Sequence, residues 1–276
     1  MSSCLDLSRV AEDFLLAYPK SNHYFLLDHG GLPGLFRELL KSRVTWVNLF
    51  ECSNEKSALE VAPILVLVCA ENRVMASRSL LEWIAKNGTF SSSIIIFASP
   101  LGVNDIRARL SSRLDVRISG GMDAMLRFFD PRVLESLVKI LSEDQKKEFL
   151  GLAESWRYVD RAGNLNEISV TFNARENFPI PFVISQQQEF ALLEASEIDQ
   201  VLDLLRSNFP RYLASIKQSE QYAFVRRQID SARQFGFESV LQFSLYAAGL
   251  LLEGEGFVES PLYPAFLDEV RKNSSL

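Results

Sequence analysis

Histidine and cysteine are scarce in this sequence, with two histidines and three cysteines in 276 residues. The cysteines (Cys4, Cys52 and Cys69) form no C-x-x-C pair and no metal-ligand spacing. That argues against a disulfide scaffold and against a structural zinc site. An odd, low count fits free thiols in a reducing compartment, and Cys69, at the end of an apolar run, reads as a small buried hydrophobe. His23 and His29 bracket one short strand-like run and bring no further ligands, so no metal is expected. A G-x-S-x-G elbow and a P-loop are both missing. No spacing singles out a pair of carboxylates. The residues therefore nominate no catalytic set and no cofactor, and the expectation is a protein that is not an enzyme.

Long apolar runs are missing too. "APILVLVCA" and "SIIIFAS" are far too short to span a bilayer, so no membrane insertion is expected. The segment "MSSCLDLSRVAEDFLLAY" has no basic stretch leading into an apolar one and reads as an amphipathic helix rather than a signal peptide. Cytoplasm is then the expected compartment. A basic surplus is absent as well: 29 basic against 35 acidic residues give a net charge of −6. Nucleic acid is not an expected partner. There is no internal repeat and no low-complexity segment.

What is present is a chain of two textures. "HYFLLD" (23–28), "TWVNLF" (45–50), "PILVLVC" (63–69) and "SSIIIFAS" (92–99) read as strands. The continuous apolar character of the last is typical of a strand covered on both faces. Between them lie helical patterns: "LFRELLKS", a short "EKSALEVA", "SRSLLEWIAKNG" with Gly88 as its stop, and "GVNDIRARLSSRL". "SEDQKKEFLGLA" is a helix with Ser142 as N-cap, and "SWRYVDRAGNLNEISVTF" is a hairpin turning at "DRAGN". The expected architecture for residues 1–178 is an α/β lobe, a mixed sheet with flanking helices. A stretch with two prolines, "NARENFPIPFVIS" (173–185), ends that texture. Residues 185–276 read as an all-α lobe. It carries 8 basic and 13 acidic residues, a net of −5, and so most of the chain's net charge of −6. This lobe is the expected partner-binding part. Tyr246, Phe257, Tyr263 and Phe266 are its candidate contact residues, either in an apolar groove or in an ordinary helical core. Ala247, Ala248 and Gly249 put small residues on one helix, which lets a second helix come close.

Two stretches invite a chemical reading. "LLDHGGLPGLF" imitates a dinucleotide-binding turn, with Glu51 after the next strand, but His29 stands where that pattern needs glycine. The alternative function is accordingly a small-molecule-binding α/β enzyme using the "HGGLPG" turn; the plainer reading is a turn that lets helix and strand pack. The second stretch is "GGMDAMLRFFDPRVLESL". It predicts a strand over Met125–Phe129 running into a helix capped by Asp130, with Pro131 at the first helical position. Alternation in that strand would put Met125, Arg127 and Phe129 on one face and Leu126, Phe128 and Asp130 on the other. Arg132 then opposes the positive end of the helix dipole, at a cost of about 0.3–1 kcal/mol. Each arginine calls for an acidic or carbonyl partner, either to fasten the lobe together or to touch a binding partner.

"YFLLDHG", "TWVNLFE" followed by "EVAPILVLV", and "GGMDAMLRFFDPRVLESL" occur in the order seen in the type VI secretion effector chaperone or adaptor family. The most specific match is R-F-F-D-P-R: Arg127, Phe128, Phe129, Asp130, Pro131 and Arg132. The resemblance covers roughly residues 20–140 well; the helical remainder is consistent with it but less diagnostic. It implies a non-catalytic adaptor. Such proteins bind a cognate effector, often through its N-terminal segment, keep it soluble and help load it onto the spike protein. The effector itself is not identified by the resemblance.

Overall fold

The computed structural model describes residues 4–70 and 73–273. The chain divides into two compact units, one ending at Leu192 and the other beginning at Leu193. The division falls inside a helix and beyond the proline-containing stretch at 173–185, because residues of that stretch belong to the core of the first unit: Phe178, Phe182 and Ile184 are buried there.

The elements of the first unit are, in chain order, α1 (Leu7–Ala17), β1 (Asn22–Leu27), α2 (Leu35–Ser42), β2 (Trp46–Asn48), β3 (Ile64–Ala70), β4 (Arg73–Val74), α3 (Arg78–Gly88), β5 (Ile94–Ser99), α4 (Val103–Ser112), β6 (Asp115–Arg117), β7 (Asp123–Met125), α5 (Pro131–Ile140), α6 (Glu143–Leu150), β8 (Ser155–Val159), β9 (Leu165–Ile168) and β10 (Phe182–Val183). The larger sheet runs β2-β3-β1-β5-β8-β9, with β4 also on β3, and every pairing in it is antiparallel. A smaller sheet, β10-β6-β7, holds a parallel pair, β10 with β6. The mixed character of the α/β unit thus comes from its small sheet.

Both faces of the large sheet are covered. Phe25, Leu27, Val66, Val68 and Ile96 pack with Leu7 and Phe14 of α1, Leu35 and Leu39 of α2, and Leu80 and Ile84 of α3. The alternate residues Tyr24, Leu26, Leu65, Ile95 and Phe97 pack on the other side with Ile106 and Leu110 of α4, Leu134 and Leu137 of α5, and Phe149 of α6. Successive strand residues point to opposite faces, so two covers demand an unbroken apolar run. That run reports the double cover and says nothing of strand direction.

Three local expectations change. "EKSALEVA" forms only a 3₁₀ turn at Leu59–Val61, and both of its large apolar residues stay exposed. Gly88 is the last helical residue rather than a left-handed stop; a Cβ there would lie 2.6 Å from the Ile94 side chain, so its use is close packing. The strand before α5 ends at Met125, and residues 126–130 turn instead of alternating, which buries Leu126, Phe128, Phe129 and Asp130 together.

The helix α7 (Gln186–Asn208) carries the chain across the division. It is followed by α8 (Pro210–Leu213), α9 (Gln221–Gln234), α10 (Val240–Glu253) and α11 (Tyr263–Lys272), and no strand occurs among the described residues of this unit. Val201, Leu205, Val225, Ile229, Phe243, Ala247 and Leu267 form its core. A capping box at Ser239 and Gln242 opens α10. The small residues of α10 do admit a neighbour: the Phe266 ring of α11 occupies the space where a Cβ on Gly249 would sit, 2.4 Å away.

Candidate functional site

The strand register places one end of the large sheet. Leu27, the last residue of β1, pairs with Ile64 at the start of β3 and with Ile94 at the start of β5, and Asn48 at the end of β2 also pairs with Ile64. The connections at this end therefore gather, and a cleft of about 440 Å³ opens among them. Asp28, Gly30 and Gly31 of the "HGG" turn, Phe50 and Val61 of the β2–β3 connection, and Ser91 line one side. Met125, Arg127, Phe129 and Arg132 line the other.

Asp130 caps α5, its carboxylate accepting the Arg132 N–H at 2.9 Å, with Pro131 at the first helical position. The same carboxylate takes the Arg132 guanidinium in a fork, Nε at 3.1 Å and Nη2 at 2.8 Å. One aspartate thus offsets both the helix dipole and the cation that opposes it. Arg127 reaches ninety-nine residues back to Asp28, Nη2 to Oδ2 at 3.1 Å, and lies over the Phe129 ring at 5.5 Å. Asp28 also accepts the Gly30 N–H at 3.0 Å. Burial raises the Asp28 carboxyl above its ordinary value, against the pull of Arg127. Both arginines are paired, and both still show at the surface. Their side chains are 51% and 27% exposed, whereas Asp28 and Asp130 are 5% and 4% exposed. The cleft therefore presents its cations and hides its anions.

Phe128 and Phe129 lie beneath. They continue a row of rings: Phe50 on Phe129 at 6.2 Å, Phe129 on Phe128 at 6.3 Å, Phe128 on Phe149 at 5.3 Å, and Phe149 on Phe178 at 5.8 Å. Arg113 closes the row, its guanidinium 4.2 Å from the Phe178 ring. This arginine is buried and donates to the carbonyls of Arg109 at 2.6 Å, Glu148 at 2.9 Å and Phe149 at 2.7 Å, and to Glu176 at 3.0 Å. Burial pushes its pKa down to about 10, opposed by Glu176. Arg109 adds bonds to the carbonyls of Asn173 and Ala174. Sequence reasoning passed over Arg113, which sits in "RARLSSRL" like any surface arginine.

Within "HGGLPG", Gly31 has a packing reason and Gly34 a conformational one, its φ being +91°. A Cβ on Gly31 would fall 2.0 Å from the Ser93 hydroxyl, so the turn lies directly on the residues that lead into β5. His23 is buried, with Nε2 3.0 Å from the Tyr18 carbonyl oxygen, and burial lowers its pKa. Cys4 is exposed and Cys69 buried, its thiol pushed up to about 12 by burial; the Cys52 side chain lies outside the described part. Among the described residues no group of three or more histidine, cysteine or acidic side chains is placed to hold a metal ion, and no helix is long and apolar enough to cross a membrane.

The four aromatics expected to meet a partner are gathered in the helical unit, largely in its interior. Tyr246 and Tyr263 are 1% and 9% exposed, and their hydroxyls share a hydrogen bond of 2.7 Å. Phe257 and Phe266 are half-buried and pack on each other at 5.2 Å. Their ring contacts join α10, α11 and the turn between them. Exposed apolar side chains on this unit are others, among them Leu252, Val258 and Leu262.

Comparison with curated proteins and with solved structures finds no match. Residues 23–148, a stretch that contains every residue lining the cleft, match the family described as "Domain of unknown function (DUF4123)".

Proposed function

We propose that this protein is a non-enzymatic adaptor, or chaperone, that binds a cognate type VI secretion effector in the cytoplasm and helps load it onto the spike complex. The observation that carries the reading is the family match over 23–148 with R-F-F-D-P-R at its surface cleft. In the resembling family that signature goes with effector adaptors. The N-terminal segment of the effector is the part bound, and the spike protein is a second partner. Because Tyr246 and Tyr263 are buried, the helical unit makes its share of the contact through exposed residues such as Leu252, Val258 and Leu262. The test is co-expression of the full chain with the effector encoded beside it. The expected outcome is a soluble complex that survives purification, and an effector that aggregates when expressed alone. Failure to bind any neighbouring effector or spike component would refute the reading.

One observation favours a second reading, a small-molecule-binding enzyme: the cleft does lie against Gly30 and Gly31. A thermal-shift screen with nucleotides separates the two, since a ligand at a hundred times its dissociation constant stabilises by about 2.7 kcal/mol.

A further inference from the structure

We infer that the cleft at Arg127 receives an extended, acidic segment of a partner chain, and that this segment adds a strand to the free edge of β7. The inference rests on the adaptor reading and says where, and by what chemistry, the partner is held.

The edge follows from the register. β7 is the outer strand of the small sheet and pairs antiparallel with β6, Val116 facing Ala124. The flanking bonds are Leu126 N–H to the Leu114 carbonyl at 2.7 Å and Ile118 N–H to the Met122 carbonyl at 2.9 Å. Bonded pairs alternate along an antiparallel ladder, so Asp123 and Met125 turn their N–H and C=O away from β6. Among the described residues no other backbone bond reaches either one. Such an edge is a template for a further strand. Met125 also lines the cleft, so open edge and cleft are continuous.

The charge follows from burial. Arg127 gives one N–H to Asp28, and its other donors make no bond to the protein among the described residues. It is half exposed over a buried carboxylate, and Arg132 repeats the arrangement over Asp130. Phe129, Met125 and Val61 supply apolar walls. A strand laid along β7 sets alternate side chains toward one face. An aspartate or glutamate on that face meets Arg127 while its neighbour's backbone bonds Met125. A basic segment would meet two cations.

The experiment uses the full chain and the neighbouring effector, with affinities measured on purified proteins. Arg127→Ala is expected to weaken binding about tenfold or more, the loss of one charge-assisted hydrogen bond. Because Arg127→Ala strands the buried Asp28 carboxylate, the double variant Asp28→Asn/Arg127→Ala is measured beside it. Met125→Pro removes the outward N–H, keeps the ladder to β6, and is expected to weaken binding by a similar factor. A photo-reactive residue at Met122 is expected to capture an acidic stretch of the effector. If the effector binds and all variants hold it as tightly as the wild type, this inference is overturned and the adaptor reading stands. If the wild-type chain binds no neighbouring effector, both fall. Displacement of the effector by millimolar inorganic phosphate would overturn it in favour of a small-anion site. A wild-type dimer that Met125→Pro makes monomeric would overturn it in favour of a second copy of this chain.

Discussion

Arg113 offers the sharpest test of how the first unit is held. Its guanidinium binds the carbonyls of Glu148 and Phe149 in the last turn of α6 and that of Arg109 near the end of α4. Carbonyls at helix C-termini have no partner within their own helix, and they form the negative pole. One buried cation thus caps two helices. Arg113→Met keeps most of the packing on Phe178 and removes every donor. Each bond to a charged group is worth about 1.5–3 kcal/mol, but the variant also escapes the cost of burying the charge. A net loss of about 3–5 kcal/mol is expected, as for breaking other buried ionic networks. Glu176→Gln should cost far less, about 1 kcal/mol, because Glu176 is a third exposed and solvent screens it. Tryptophan fluorescence during urea unfolding is the assay, since Trp46, Trp83 and Trp156 all lie in the first unit. Trp156 moreover donates to the Leu150 carbonyl at 2.9 Å, beside the carbonyls that Arg113 holds. If Glu176→Gln costs as much as Arg113→Met, the ion pair and not the double cap is what matters, and the reasoning is wrong.

The remaining predictions concern the signature and the helical unit. Asp130→Ala should destabilise the first unit by about 0.5–2 kcal/mol, while Asp130→Asn, which keeps a capping oxygen, should lose clearly less; equal losses in urea titrations would mean the Arg132 pair outweighs the cap. Burial raises the Asp28 pKa above its ordinary 3.8, so the folded state holds that proton longer than the unfolded one. Stability from this group is full below 3.8 and falls as pH rises through the raised value; the wild type should lose stability relative to Asp28→Asn across that window, and a constant difference would contradict the assignment. Gly249→Ala should lower the melting temperature of the helical unit, by the equivalent of about 1–3 kcal/mol of overpacking, although alanine is the better helix former. Phe266→Leu in the same chain should recover part of the loss if the collision with that ring is the cause.

Much of this was legible locally. Asp130-Pro131 announces a helix start within two residues, and Ser142 announces another with Gln145 three positions on. The apolar runs of β1, β3 and β5 show two covered faces. Strand direction was hidden because burial, which sets the pattern, is the same for either. Phe129 does share the cleft with Met125 and Arg127, but alternation could not show that it is buried, because the chain turns after Met125. Arg127 finds Asp28 ninety-nine residues away and Arg113 finds Glu176 sixty-three away. Pairings so distant leave no periodic trace. In the helical unit, α10 is apolar over most of its surface, so the spacing of Tyr246 could not separate core from groove.

The row of rings from Phe50 to Phe178 bears on how costly recognition would be. A flexible arginine loses rotamer freedom when a ligand fixes it, about 0.5–1.5 kcal/mol for each such side chain. Here the backbone between the two arginines is moored by Phe128 and Phe129 in a close-packed interior, and each guanidinium already leans on an aspartate. Much of that ordering has happened on folding. The two forks stand at a fixed separation before anything arrives, like the pins of a socket, and discrimination among arriving chains then depends on the spacing of carboxylates as well as on their charge.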